Sequence, residues 1–184
     1  MLFRSSYRLA GIEPRLRPCA YGASSGVGDC AVTPFPTSHD SPGSSGYRID
    51  TDDGTVGVLT DTGYVTDEAR QTLAGAVLLV LEANHDIDTL RSGPYPYYLK
   101  QRILGSAGHL SNDDAAAFAA EMAAQGTREI ILAHLSRENN TPAMAYGAVE
   151  RTLSAAGAET ALSVAPRDCR SEAYCLAGGV PCKR

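Results

Sequence analysis

Strand and helix signals alternate through the second half of this chain, and that alternation predicts an α/β layered fold. Two observations carry the prediction. Ala76 to Leu81 and Glu129 to Ala133 are short, mostly apolar runs of the kind found in strands buried on both faces. Between and after them lie two alanine-rich segments bounded by capping residues, as helices packed on a sheet require.

The elements follow in chain order. Residues 1–27 are rich in Arg, Pro, Gly and Ser without a sustained period, and read as an irregular or aberrant N-terminal segment. From Asp29 the pattern becomes regular. Cys30 to Phe35 reads as a short strand that stops at Pro36. Two further strands, over 46–51 and 55–59, are joined by Asp52-Asp53-Gly54, a strong hairpin signal between apolar alternations. Thr66 caps a short helix over 66–74, with Asp67 and Glu68 complementing the dipole of its first turn. The clearest helix spans 111–125, capped by Ser111 or Asn112 and stopped by Gly126. A last helix over 141–156 has Pro142 in its first turn and Gly157 after its end, followed by a strand over 159–164. Residues 28–167 therefore form the folded domain, and 168–184 a tail without functional signal.

Composition narrows the class. A chain of 184 residues suits one domain with one core. The net charge of −5 argues against a protein that coats nucleic acid passively, though not against an enzyme holding phosphate through bound cations. The longest apolar run, Ala74 to Leu81, is far too short to span a membrane, and the first residues lack the apolar stretch of a signal peptide. Five cysteines, an odd number without a C-x-x-C pair, suggest reduced thiols and a cytoplasmic setting.

The chain has only four histidines, and each lies in a polar cluster at a strand end or beside a helix start: His39, His85, His109 and His134. Asp61 likewise follows a strand. Such edges are where α/β folds place their chemistry. Singly, each histidine reads as a surface or capping residue. Together with a carboxylate they make the ligand set of a zinc or manganese hydrolase, although no pair has H-x-H or H-x-x-x-H spacing.

Several motifs occur in order: Leu59-Thr60-Asp61-Thr62-Gly63-Tyr64-Val65-Thr66, Leu81-Glu82-Ala83-Asn84-His85-Asp86, Gly93-Pro94-Tyr95-Pro96-Tyr97-Tyr98-Leu99-Lys100, Gly108-His109-Leu110-Ser111-Asn112 and Ala133-His134-Leu135-Ser136-Arg137-Glu138-Asn139-Asn140. From about Asp29 to about Arg167 the chain resembles the YycJ-like (WalJ) exonuclease branch of metallo-β-lactamase-fold metallohydrolases. The resemblance implies the C-terminal part of a four-layer αββα sandwich with two divalent metal ions, zinc or manganese, at one edge. It also implies His39, Asp61 and His134 as metal ligands, Asp61 bridging the two ions. The family's H-x-H-x-D-H motif occurs nowhere in this chain. The expectation is therefore an N-terminally truncated form with half of the metal site, and an exposed apolar edge where strands are missing.

The resemblance further implies a metal-dependent phosphodiester hydrolase, an exonuclease with DNA as its partner and substrate and no membrane. Gly108-His109-Leu110 is similar to the His-Ser-Thr motif of tRNase Z, which makes His109 the candidate acid for the leaving oxygen. Glu82 would orient and charge it. The structural alternative for Glu82 and His109 is a strand-end and a helix-capping role. His85 and Asp86 would line the site or support a ligand, or else cap the following segment. Lys100 and Arg102 would meet phosphates or form a solvated helix face. Tyr95, Tyr97 and Tyr98 would stack on bases or pack as an aromatic cluster. Two competing readings are a thioester, lactone or lactam hydrolase on the same fold, and a non-catalytic fragment.

Overall fold

The computed structural model of the protein describes residues 18–171 and 173–176. The start of the irregular segment and the end of the tail lie outside these residues.

Among the described residues one seven-stranded sheet organises the fold, and its strands are neighbours in sequence order. The strands are β1 (Ser25–Val27), β2 (Cys30–Pro36), β3 (Ser45–Thr51), β4 (Gly54–Leu59), β5 (Leu78–Glu82), β6 (Glu129–Ala133) and β7 (Ala161–Val164). The first four pair antiparallel, β2 and β3 through the longer segment 37–44 that carries His39. From β4 onward the pairing is parallel, because helical crossovers separate the strands. The crossovers are α1 (Asp67–Leu73), then α2 (Ile87–Ser92), α3 (Tyr97–Leu104) and α4 (Asn112–Ala124), then α5 (Pro142–Ala155). The Asp52-Asp53-Gly54 turn closes β3 onto β4 as its sequence predicts, with Thr51 opposite Gly54.

Helix ends follow their capping residues. The Oγ1 of Thr66 accepts from the Ala69 amide, the Oγ of Ser111 from the Asp114 amide, and the Oγ1 of Thr141 from the Met144 amide. Each N-cap relieves an amide that the helix itself cannot pair.

Strand alternation sends Leu59, Leu79, Leu81, Ile130 and Leu132 to one face, where they pack with Leu73 of α1, Phe118 and Met122 of α4, and Val149 and Leu153 of α5. This single cluster is the core. The other face carries the register-matched residues Val32, Ile49, Val56 and Leu78, then Pro34, Tyr47, Val58, Val80 and Ile131. Most of these are only partly covered. One sheet with helices on one face is two layers of an αββα sandwich, and the second face is apolar enough for another sheet. The apolar surface expected at an edge is thus a sheet face. The β1 edge is short and carries only Val27 as an exposed apolar side chain.

β1 and α2 have no counterpart in the sequence reading, and α3 is anticipated only as the solvated helix face of Lys100 and Arg102. No helix among the described residues is long and apolar enough to cross a membrane.

Candidate metal centre

Topology brings the site together before any side chain is considered. Two antiparallel steps make β2 run parallel to β4, and β4, β5 and β6 are mutually parallel. Four carboxyl ends therefore meet at one edge of the sheet, where open α/β folds bind ligands. His39 follows β2, Asp61 follows β4, Glu82 ends β5 and His134 follows β6. His109 arrives from the loop between α3 and α4, its amide donating to the Ile103 carbonyl at 3.1 Å.

The backbone turns sharply at two of these positions. Asp61 and His134 have φ of 54° and 58°, and they are the described non-glycine residues with positive φ. Asp and His enter this left-handed region more readily than most residues, and such strain clusters at functional sites. The buried Asn84 amide donates to the His134 carbonyl at 2.8 Å and holds that turn. Two glycines let the loops close. A Cβ on Gly63 would lie 2.3 Å from the Ser106 carbonyl oxygen, and one on Gly108 would lie 2.2 Å from that of Ile103. Gly63 N also donates to the Ser38 carbonyl at 2.7 Å, which ties the His39 loop to the Asp61 loop.

The three imidazoles are wired alike. His39 Nδ1 donates to the Gly108 carbonyl at 2.9 Å, since a carbonyl can only accept. His109 Nδ1 and His134 Nδ1 both donate to Glu82 Oε1, at 2.8 and 2.7 Å. With Nδ1 engaged, each ring presents Nε2 as its free atom. Asp61 Oδ1 lies 3.7 Å from Nε2 of His39 and 3.7 Å from Nε2 of His134. Two ligands on one tetrahedral ion, with bonds of about 2.0–2.1 Å, stand roughly 3.3 Å apart. Small closures would thus let the Asp61 oxygen share an ion with either ring.

Glu82 is fully buried. Its Oε1 takes the two imidazole protons, and its Oε2 takes the amides of Thr62 and Leu110 at 3.0 and 3.3 Å. Burial opposes its ionisation, but the bonds from His109, His134 and the Thr62 amide outweigh burial and hold its carboxyl below the usual range. The hydrogen bond to Glu82 in turn raises the pKa of His134, against the opposing effect of burial. One ligand atom each from Asp61, Glu82, His109 and His134 falls within 4.8 Å of the others, a cluster suited to a divalent metal. Within it Glu82 is already saturated with donors, so the atoms free to take a cation are Asp61 Oδ1 and the Nε2 atoms. This donor set, imidazole plus carboxylate with a supporting carboxylate behind it, fits a divalent ion.

The structure therefore gathers His39, Asp61, Glu82, His109 and His134 in one cleft. It does not bring in His85 or Asp86. The Oδ1 of Asp86 accepts from the Thr89 amide and hydroxyl and caps α2; these bonds hold its pKa low. His85 is 1% exposed, inside the protein, with both ring nitrogens unpartnered. Tyr97 and Tyr98 are 76% and 74% exposed on α3, so they form no packed cluster. Arg102 pairs with Asp40, the neighbour of His39. Asn84 and the pairing of Asn112 with Asn140 lay within quoted motifs, but nothing in the sequence assigned them a partner.

A seven-stranded α/β sheet with a His/Asp/Glu cluster beyond its parallel carboxyl ends is an arrangement suited to a divalent metal at a sheet edge. Residues 4–135 match the Beta-lactamase superfamily domain, and the chain belongs to that superfamily. It is 39% identical over 130 residues to exodeoxyribonuclease YycJ of Bacillus anthracis, covering 71% of this chain and 49% of that protein. It is 42% identical over 125 residues to exodeoxyribonuclease WalJ of Streptococcus pneumoniae, covering 68% and 46%. The chain thus spans about half the length of the curated relatives it matches. Its fold is similar to the metallo-β-lactamase fold protein YhfI of Bacillus subtilis, with a TM-score of 0.59 at 20% identity over 80% of this chain and 50% of that one.

Proposed function

We propose that this chain carries one half of the catalytic site of a metal-dependent phosphodiester hydrolase, an exonuclease acting on DNA. The observation that carries the reading is the position of Glu82. One buried carboxylate oxygen fixes the rings of both His109 and His134, as a site combining an acid with a metal ligand requires. The names of the relatives, both exodeoxyribonucleases, support DNA as the substrate. Nothing in the cleft favours a lactam, lactone or thioester instead.

In this reading His39, Asp61 and His134 would hold the ions. Two zinc or manganese ions, when bound, supply Lewis acidity toward the phosphate and an activated water. The chain's own residues do the rest. Glu82 accepts from His109 Nδ1, so that a second proton on the ring can sit only on Nε2. His109 Nε2 then gives a proton to the leaving oxygen. Asn84 keeps His134 in its strained turn, so that Nε2 faces Asp61.

The test joins the N-terminal part of the Bacillus anthracis relative to this chain, so that a complete donor set can form. Single-turnover cleavage of end-labelled single-stranded DNA, with metal content measured, should show shortening from an end. A metal-loaded chimera that leaves DNA intact but opens a lactone or thioester would replace the nuclease reading.

A further inference from the structure

His39 sits on the segment 37–44, outside the strand ladders, so no register places it beside Asp61. The loop between α3 and α4 meets this segment residue for residue. The Ser38 hydroxyl donates to the Ser106 carbonyl at 2.6 Å, the Asp40 amide to the Ala107 carbonyl at 3.0 Å, and His39 Nδ1 to the Gly108 carbonyl at 2.9 Å. Three consecutive carbonyls thus serve three consecutive residues. The next residue of that loop is His109, and its ring centroid stands 4.9 Å from that of His39.

The helix behind the loop is tied to the same segment. α3 has no buried residue, so core packing does not fix where it lies. Arg102 instead forks Nε and Nη2 onto the two oxygens of Asp40. The pair is largely solvated, Arg102 60% and Asp40 36% exposed in their side chains, and such pairs add little to global stability. Its two-pronged geometry, however, sets the orientation of both partners as a lysine ammonium cannot. Orientation matters here, because Asp40 Oδ1 lies 3.7 Å from His39 Nε2, as far as Asp61 Oδ1 does. With both Asp40 oxygens bound by Arg102, the carboxylate left free beside that nitrogen is Asp61.

We propose that Asp40 and Arg102 form a positioning latch, which locks α3 and the loop after it against the segment 37–44 and presents His39 and His109 as one preassembled unit. Both are positioning residues, acting through the two imidazoles. Opening the latch frees α3, and with it the three carbonyls that hold Ser38, His39 and Asp40. It also releases the Asp40 carboxylate to compete with Asp61 for His39. The consequence for metal rests on the reading of His39 as a donor; the latch itself does not.

Amide hydrogen exchange on the chain as it stands reads the latch without metal. Arg102→Ala and Asp40→Asn should each speed exchange about ten-fold or more at the Asp40 and His109 amides, after correction for intrinsic rates. The amides of β5 and β6 and the melting midpoint should not move. Arg102→Lys keeps the charge but not the fork, so it should recover little. The double variant should exchange no faster than either single one, because the pair acts as a unit. In the chimera, cobalt(II) read by its absorption spectrum should bind about ten- to a hundredfold more weakly in the same variants, the usual scale for residues that orient ligands. Parent-like exchange in Arg102→Ala, full recovery by Arg102→Lys, or faster exchange spread over β5 and β6 would each overturn the latch. Unchanged cobalt affinity in variants that do exchange faster would overturn its positioning role. The metal reading fails separately: a chimera that binds no cobalt, beside exchange that depends on Arg102, would remove that reading and leave the latch.

Discussion

Asp61 and His134 sit on different strand ends, 3.7 Å apart through Oδ1 and Nε2, and both hold the left-handed backbone conformation, with φ of 54° and 58°. Neither turn is a local preference of its own tripeptide. Each is held by contacts from elsewhere, Asn84 holding the His134 carbonyl. The result is a pair of opposed donor atoms on rigid strand ends, as a precise metal site needs.

Three free donors, His39, Asp61 and His134, are fewer than two ions require. Isothermal calorimetry with zinc or manganese on this chain should therefore show weak binding, and Asp61→Ala should abolish it. Tight binding of two ions by the chain would mean that other donors complete the site, for instance from a second copy.

Removing the acid and removing its support should differ. In the chimera, His109→Ala takes away a proton donor, so metals stay while turnover falls by roughly a hundredfold or more. Glu82→Gln reaches further than sequence suggests, because Glu82 also holds His134. It should lose metal occupancy as well as turnover, and the double variant should be clearly worse than His109→Ala alone. Metal analysis beside single-turnover rates checks this. A Glu82→Gln protein with full metal content would confine Glu82 to His109.

Much of this was legible in the sequence. The buried strands, the capped helices and the Asp-Gly hairpin rest on local chemistry, and they stand where Thr66, Ser111, Thr141 and Gly54 put them. The residues at the strand ends were legible because parallel strands must share a carboxyl edge. Three things were not. Pro94 and Pro96 punctuate the chain so strongly that the start of the helix at Tyr97 reads as loop, and only the face carrying Lys100 and Arg102 reads as helix. Asp86 reads equally as a site carboxylate and as a cap, and only the start of α2 after it decides for the cap. The bond from Glu82 to His134 joins residues that only the β5–β6 register makes neighbours.

Away from the site, Arg48 and Asp50 fasten β3 to the end of α1. Arg48 Nη1 donates to the carbonyls of Thr72 and Ala74, and the Thr55 hydroxyl donates to Asp50 Oδ1. The hydrogen bond from Arg48 holds the Asp50 carboxyl below its usual pKa. A depressed carboxyl stabilises the fold above its unfolded pKa of about 3.9, and that contribution is lost as pH falls through the folded value. The pair is partly solvated, so its worth is at most about 1 kcal/mol. Asp50→Asn should lower neutral-pH stability by that order and flatten the acid limb below pH of about 4. Urea titrations across pH check it, and an unchanged acid limb would assign that limb to other carboxylates.

His85 offers the sharpest contrast between sequence and structure. It lies in a motif of site residues, yet its ring is buried and both nitrogens lack a partner, while its backbone carbonyl accepts from the Asn112 amide. Burial lowers its pKa, so the folded protein keeps it neutral. The unfolded chain binds a proton there near pH of about 6.5. Its contribution to stability is therefore full above that pH and is lost as pH falls toward the folded value. Replacing both unpaired nitrogens with apolar atoms of similar volume should cost little. Such exchanges are near neutral or stabilising, whereas an unsatisfied polar group costs about 1–3 kcal/mol. His85→Leu should thus match or exceed the parent in stability at neutral pH, and lose less on going to pH of about 5.5. A Leu variant destabilised by more than about 2 kcal/mol would show that the ring has a polar partner after all, such as a bound water, and that its place in the motif is chemical.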